Sequence, residues 1–189
     1  MNVWLVVILE TVAVTVIGSL LHFTYGWTGR RKWVAIFAAV NESTWEHVKL
    51  ALSGIFVCML VDVWWLGENP NYWLARSVSF LVPVIVIPMM FYGYTSFTRR
   101  AVLPVDILTF AVAAFLSAMV FVGILGLPPV SEVWRVVSGV ISVVILVMYL
   151  LLTFFPVRDN LIFEDPINHK YGVAAFARHK HKKTTKKKK

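Results

Sequence analysis

VWLVVILETVAVTVIGSLLHF, residues 3–23, carries a single acidic residue, Glu10, in an otherwise apolar run that ends on His22 and Phe23. At 1.5 Å of rise per residue, a helix of about 20 residues covers roughly 30 Å, the thickness of a bilayer's hydrocarbon core. A secretory leader is the competing reading of an apolar opening. This segment has no basic n-region and exceeds an h-region of roughly 7–15 residues, so a retained span is expected. Composition agrees: the 189-residue chain is 59% hydrophobic and 15% charged, with a mean hydropathy of +0.75. Soluble domains carry about 25% charged residues, so that class is excluded.

Four more runs resemble the first: Lys49 to Leu66, Trp73 to Tyr94, Val105 to Leu127 and Val136 to Phe155. WVAIFAAV, Trp33 to Val40, is too short to cross alone and reads as an interfacial or re-entrant half-helix. The predicted fold is an all-α polytopic membrane protein with five transmembrane helices in residues 1–156. Residues 157–172 should form an ordered cytoplasmic strap, and residues 173–189 a disordered lysine-rich tail.

Basic residues collect in cytoplasmic loops, and their asymmetry sets orientation. Arg30, Arg31 and Lys32 follow the first span, Arg99 and Arg100 the third, and the lysine tail the fifth. The other two links carry Glu68 and Glu132. An N-terminus outside and a C-terminus in the cytoplasm satisfies all of these, in a cell membrane. Pro104 suits the first turn of the fourth helix, whereas Pro83 and Pro88 should kink the third. Cys58, the one cysteine, cannot pair within the chain and reads as a small apolar residue. The two halves show no repeat, which argues against an inverted-repeat transporter.

GSLLHFTYGWTG (Gly18 to Gly29), AVNESTWEHVKL (Ala39 to Leu50) and FFPVRDNLIFEDPINHKYG (Phe154 to Gly172) together resemble a family of small prokaryotic multi-pass membrane proteins, catalogued as a domain of unknown function, number 6512. The resemblance runs from the first span to Gly172 and implies a shared architecture without an assigned activity. Gly26 stands where the family pattern implies an acidic residue between tyrosine and tryptophan, so no role for that carboxylate carries over. The lysine-rich extension beyond Gly172 is also outside what the family implies.

AVNESTWEHVKL supports two readings. Ser43 and Glu46 fit the capping box S-x-x-E, Asn41 can cap from upstream, Lys49 can pair with Glu46 at i, i+3, and Trp45 suits the interface. That reading leaves Glu42 and His47 without a task. The other begins from geometry: Glu42 and Glu46 are one helical turn apart, as are Ser43 and His47. His22 ends the first span and Asp106 opens the fourth at the same boundary, while Asp165 follows the fifth. The candidate polar cluster is therefore His22, Asn41, Glu42, Glu46, His47 and Asp106, with Tyr25, Trp27 and Trp45 as neighbours.

Two histidines with carboxylates suit a mixed N/O metal site, with His22, His47 and Glu46 as candidate ligands and zinc as the candidate ion. The spacing is no H-E-x-x-H signature, and Glu46 and His47 point about 100° apart on a regular helix. Three functional readings stay open: an unspecified ligand- or metal-binding site, a metal-dependent hydrolase acting on a lipid or amphiphile, and a non-catalytic scaffold or small transporter subunit.

Glu10, Asp62 and Arg76 form a second intramembrane ionisable group toward the other face, read as a buried ion pair or triad, with a proton or ion path as the alternative. His169, beside the turn at Asp165-Pro166, should be exposed. In the tail, Lys182, Lys183, Lys186, Lys187, Lys188 and Lys189 are expected to contact anionic headgroups, at about 1 kcal/mol per basic residue near the surface. Membrane lipids, a membrane-protein partner or a second copy are the expected partners. Nucleic acid is disfavoured, since no aromatic residue for stacking follows Phe176.

Overall fold

The computed structural model describes residues 2–167 and 169–173. The expected headgroup-contacting lysines, and all of the expected tail beyond Val173, lie outside the described residues. Five helices account for most of the rest: α1 (Val3–Trp27), α2 (Thr44–Leu66), α3 (Tyr72–Thr98), α4 (Leu103–Leu125) and α5 (Glu132–Phe154). Each is long and apolar enough to cross a membrane, so the chain is an all-helical multi-pass membrane protein. The start of α1 at Val3 and the end of α2 at Leu66 coincide with the hydrophobic runs, and the other helix ends differ from them by one to five residues. Hydropathy marks what lies in hydrocarbon, whereas helical hydrogen bonding continues into polar end turns. Asn2 caps α1 through Leu5 N, and Ser43 caps α2 through Glu46 N.

Helix α1 packs on α2 and α4, α3 on α4 and α5, and α2 on α3. The buried face of α1 is the stripe Val7, Glu10, Val14, Gly18 and Tyr25, spaced by three, four and seven residues as an α-helix requires. Gly54 lets α2 approach that stripe: a Cβ there would sit 3.0 Å from the backbone Cα of Val14. Small polar side chains join the remaining helices. Ser77 donates to the Ser138 carbonyl at 2.7 Å and lies 2.9 Å from the Ser142 hydroxyl. Both Pro83 and Pro88 sit inside a continuous α3. Pro83 deprives the Ser79 carbonyl of its usual helical donor, and Ser117 of α4 supplies a replacement at 2.9 Å.

Helix directions alternate, so the C-terminal ends of α1, α3 and α5 share one end of the bundle with the N-terminal ends of α2 and α4. At the opposite end, buried Asn71 donates to the carbonyls of Ile124, Leu127 and Pro128 and accepts from Val130 N at 2.9 Å. Asn71 thus ties α3 to the α4–α5 link.

Trp33 to Val40 does not cross the bundle. It contains a short 3-10 turn, Val34–Ile36, and buries Val34, Ala35, Ala38 and Val40 with Tyr25 in a small separate core against which Val173 rests. Residues 157–167 and 169–172 form the strap, and its Ile162 and Phe163 lie over the start of α2: Trp45 N donates to the Ile162 carbonyl at 2.8 Å, and its ring sits 5.0 Å from that of Phe163. Trp45, expected at the interface, is therefore buried under this strap rather than facing headgroups.

Candidate functional site

Two sets of ionisable side chains occupy the bundle, one near each end. In the first, Arg76 of α3 binds Glu10 of α1 at 2.5 Å and also pairs with Asp62 of α2. Tyr72 donates to Asp62 at 2.6 Å, and the Arg76 guanidinium lies 3.4 Å from the centroid of the Phe121 ring on α4. Four helices are stapled by one fully buried cation.

The second set lies at the end where α2 begins. Asn41 closes a local turn by accepting from Ser43 N at 2.8 Å. Since Ser43 N is already engaged, Glu46 does not complete the reciprocal capping box; its Oε2 reaches back to Val40 N at 2.8 Å. The same oxygen meets Lys49 Nζ at 2.6 Å, and Lys49 also donates to the Ala35 carbonyl at 2.9 Å. Glu46 and Lys49 thus help to hold the Val34 to Val40 segment. Glu46, expected as a metal ligand, is not among the side chains whose ligand atoms converge with those of the histidines.

Glu42 takes the place sequence reasoning had given to Glu46. Its Oε1 lies 3.8 Å from His22 Nε2, and the His22 and His47 rings are 5.6 Å apart between centroids. One ligand atom from each of His22, Glu42 and His47 falls within 4.8 Å of the others. His47 Nδ1 is 3.0 Å from the Ser43 carbonyl. A carbonyl only accepts, so Nδ1 carries a proton, and the neutral ring with that tautomer has its lone pair on Nε2, as a metal-ligating histidine needs.

Beside these three side chains is a cavity of about 330 Å³. His22, Glu42, Thr44, His47 and Asp106 line it with Thr109, while Ile87, Phe91 and Phe110 supply apolar wall and Pro166 and Ile167 of the strap border it. Asp106 accepts from Tyr94 OH, which in turn accepts from Val102 N at 3.1 Å. Thr44 donates to Tyr92 OH at 3.1 Å. Asn41 is adjacent rather than lining; its Nδ2 donates to the Gly172 carbonyl at 3.1 Å and ties the strap to the loop that carries Glu42.

The sequence model of a family of unknown function, DUF6512, matches residues 1–173. The chain belongs to that family. No curated protein and no solved structure matches it. In this DUF6512 chain, Gly26 of the first motif is exposed, and a Cβ there would meet nothing within 4 Å beyond its own helix backbone and chain neighbours. Asp165 is buried and accepts from Ile167 N at 2.8 Å, shaping the strap instead of entering the cavity. His169 is exposed and lies 2.5 Å from Glu164. Thr44, Thr109 and the apolar wall were not singled out by sequence reasoning, because nothing in their spacing separates them from ordinary span residues.

Proposed function

We propose that this membrane protein binds a divalent cation, with zinc the best match, through His22, Glu42 and His47 at the mouth of the cavity. The observation that carries the reading is the mutual approach of three ligand atoms to within 4.8 Å, two nitrogens and one carboxylate oxygen. Zinc bonds such donors at about 2.0–2.2 Å, so a closing of the three by roughly 1 Å would meet a tetrahedral site with its fourth position toward the cavity. The basic links at Arg30, Arg31 and Lys32 and at Arg99 and Arg100 favour the cytoplasmic face of a cell membrane for this end of the bundle.

A second reading is favoured by the cavity beside the three side chains, which leaves room for a fourth ligand. Three protein ligands plus water is the arrangement of hydrolytic zinc sites, and the apolar wall suits an amphiphile. In that reaction water oxygen bonds to an acyl carbon, the carbon–oxygen bond of the ester breaks, and the proton passes to the departing alcohol.

Metal analysis of the purified full chain tests the first reading. About one zinc per chain after dialysis at micromolar zinc, lost in His22→Ala and His47→Ala but retained in Lys49→Met of comparable yield, is the expected result. Folded wild-type protein that holds no divalent metal under those conditions overturns it.

A further inference from the structure

The five helices carry five carboxylates, and four of them meet a basic side chain: Glu10 and Asp62 share Arg76, Glu46 has Lys49, and Glu132 has Arg135. Asp106 of α4 is the fifth and has no such partner among the described residues. Tyr94 OH donates to its Oδ1 and is itself held by Val102 N, so one oxygen fixes the carboxylate in place. The first turn of α4 adds the partial positive charge of a helix N-terminus, roughly half a unit, which steadies the carboxylate without cancelling it. Oδ2 takes no hydrogen bond among the described residues, yet it is not one of the buried atoms closed to water. A half-buried side chain thus keeps an open oxygen on a residue of the cavity lining. Thr109 Oγ1, the lining's unpartnered hydroxyl, differs: it is closed to water and offers a ligand nothing.

The fixed charge of the lining is all of one sign. Glu42 and Asp106 are its two carboxylates, and no lysine or arginine joins them among the described residues. Arg99 and Arg100, just ahead of the lining residue Ala101, are exposed and stand outside it. With neutral imidazoles the lining sums to two negative charges, and a cleft lined by one sign of charge concentrates the opposite ion. The cavity is also graded along the bundle. Asp106 lies in the first turn of α4 and Phe110 one turn farther from that end, while Ile87 lies one turn beyond Phe91 on α3. A ligand with a cationic head at the boundary and an apolar chain directed into the bundle matches both gradients. The volume of about 330 Å³ is at the small end of the roughly 300–1,000 Å³ of small-molecule sites, room for one chain rather than two.

We propose that the cavity binds a single-chain primary amine, its ammonium group donating to Asp106 Oδ2 in a charge-assisted hydrogen bond and its chain laid along Phe91, Phe110 and Ile87. The inference goes beyond the cation reading, because Asp106 is not among the three side chains whose ligand atoms converge. It also links the two: a divalent ion at His22, Glu42 and His47 brings the lining to zero charge, so ion and ammonium each weaken the other's binding.

The test uses the full chain in phosphatidylcholine nanodiscs, first with a metal chelator present, and radiolabelled dodecylamine, which like a lysine side chain is an ammonium at about pH 7. Dodecanol and dodecanoate carry the same chain with a neutral and an anionic head, and ethylamine has the head without the chain. Saturable binding of one dodecylamine per chain is expected, with each of these counterparts at least about tenfold weaker, a difference of roughly 1.4 kcal/mol. Asp106→Asn keeps an acceptor for Tyr94 but not the charge, and should weaken dodecylamine about tenfold or more, the scale of a hydrogen bond to a charged group. Glu132→Gln, at the far end of the bundle, should leave it unchanged. In wild-type protein that has taken up zinc, dodecylamine should bind about fivefold or more weakly.

Equal binding by Asp106→Asn of comparable melting temperature, an equal loss in Glu132→Gln, equal or tighter binding of any counterpart, or no saturable binding overturns the inference. The counterpart comparison needs no variant, so it decides the matter if Asp106→Asn does not fold. Binding unchanged or tightened in zinc-loaded protein overturns the inference as well. Zinc uptake without amine binding sinks this inference alone, whereas amine binding without zinc uptake sinks only the cation reading.

Discussion

The Arg76 staple and the His22, Glu42 and His47 cluster each draw one ionisable residue from α1 and one from α2, the third being Arg76 of α3 in one and Glu42 of the loop before α2 in the other, and they differ in what is left over. Arg76 is fully buried, bound by two carboxylates and covered by an aromatic ring. At the other end, Glu42 is half exposed, His47 keeps a free ring nitrogen, and a cavity adjoins both. Expensive side chains in a membrane protein are therefore not informative by their presence alone. A buried charge met by opposite charge marks a staple, and unspent capacity beside a cavity marks a site.

The largest effect should come from breaking the staple. Arg76→Met leaves two buried carboxylates without their cation and should cost about 3–5 kcal/mol in denaturant unfolding. Adding Glu10→Leu and Asp62→Leu should recover most of that loss. If the triple variant stayed as unstable as Arg76→Met, these charges would have a task other than stapling. Next is His47→Ala, which should lower zinc affinity in equilibrium dialysis by more than about 100-fold, beyond the roughly 10–100-fold that outer partners of a metal cost. The metal-free melting temperature should move little, and a large drop would make His47 a structural residue.

Ser43→Ala sharpens the comparison at a smaller scale. Loss of the α2 cap should cost about 1 kcal/mol of stability, while the Ser43 carbonyl that fixes the His47 tautomer survives and zinc affinity stays within about threefold. Smallest of all, Thr109→Val should leave the ligand-free protein unchanged or more stable by up to about 1 kcal/mol, because it deletes an unsatisfied hydroxyl. Thr153→Val removes a satisfied one and should destabilise by about 1 kcal/mol. Equal destabilisation by both, read from melting curves, would erase the distinction between them.

The five spans were legible because crossing a bilayer demands long apolar runs that leave a plain trace in sequence. Some ends were less legible, since a cap such as Ser43 is polar and lies outside those runs, whereas α1 starts at Val3 where its run begins. The staple was legible in type and depth, for Glu10, Asp62 and Arg76 stand out against apolar neighbours. Exchange of Glu46 for Glu42 was not, because it turns on competition. Asn41 takes Ser43 N, Glu46 is driven back to Val40, and Lys49 then fixes it there. Asn71 and Thr109 were beyond reach for opposite reasons. One is defined by carbonyls more than fifty residues away, and the other by a missing partner.

The bond from Asn41 to Gly172 has a mechanical corollary. Val173 leans on the small core under Tyr25, and the next residue upstream grips the loop one position before Glu42. Tension on the chain beyond Val173 would reach Glu42 through a single amide contact and a single peptide link, shorter than any route through the helices. A tether fastened to that end would thereby act as a lever on the carboxylate, drawing it toward the imidazoles or away from them.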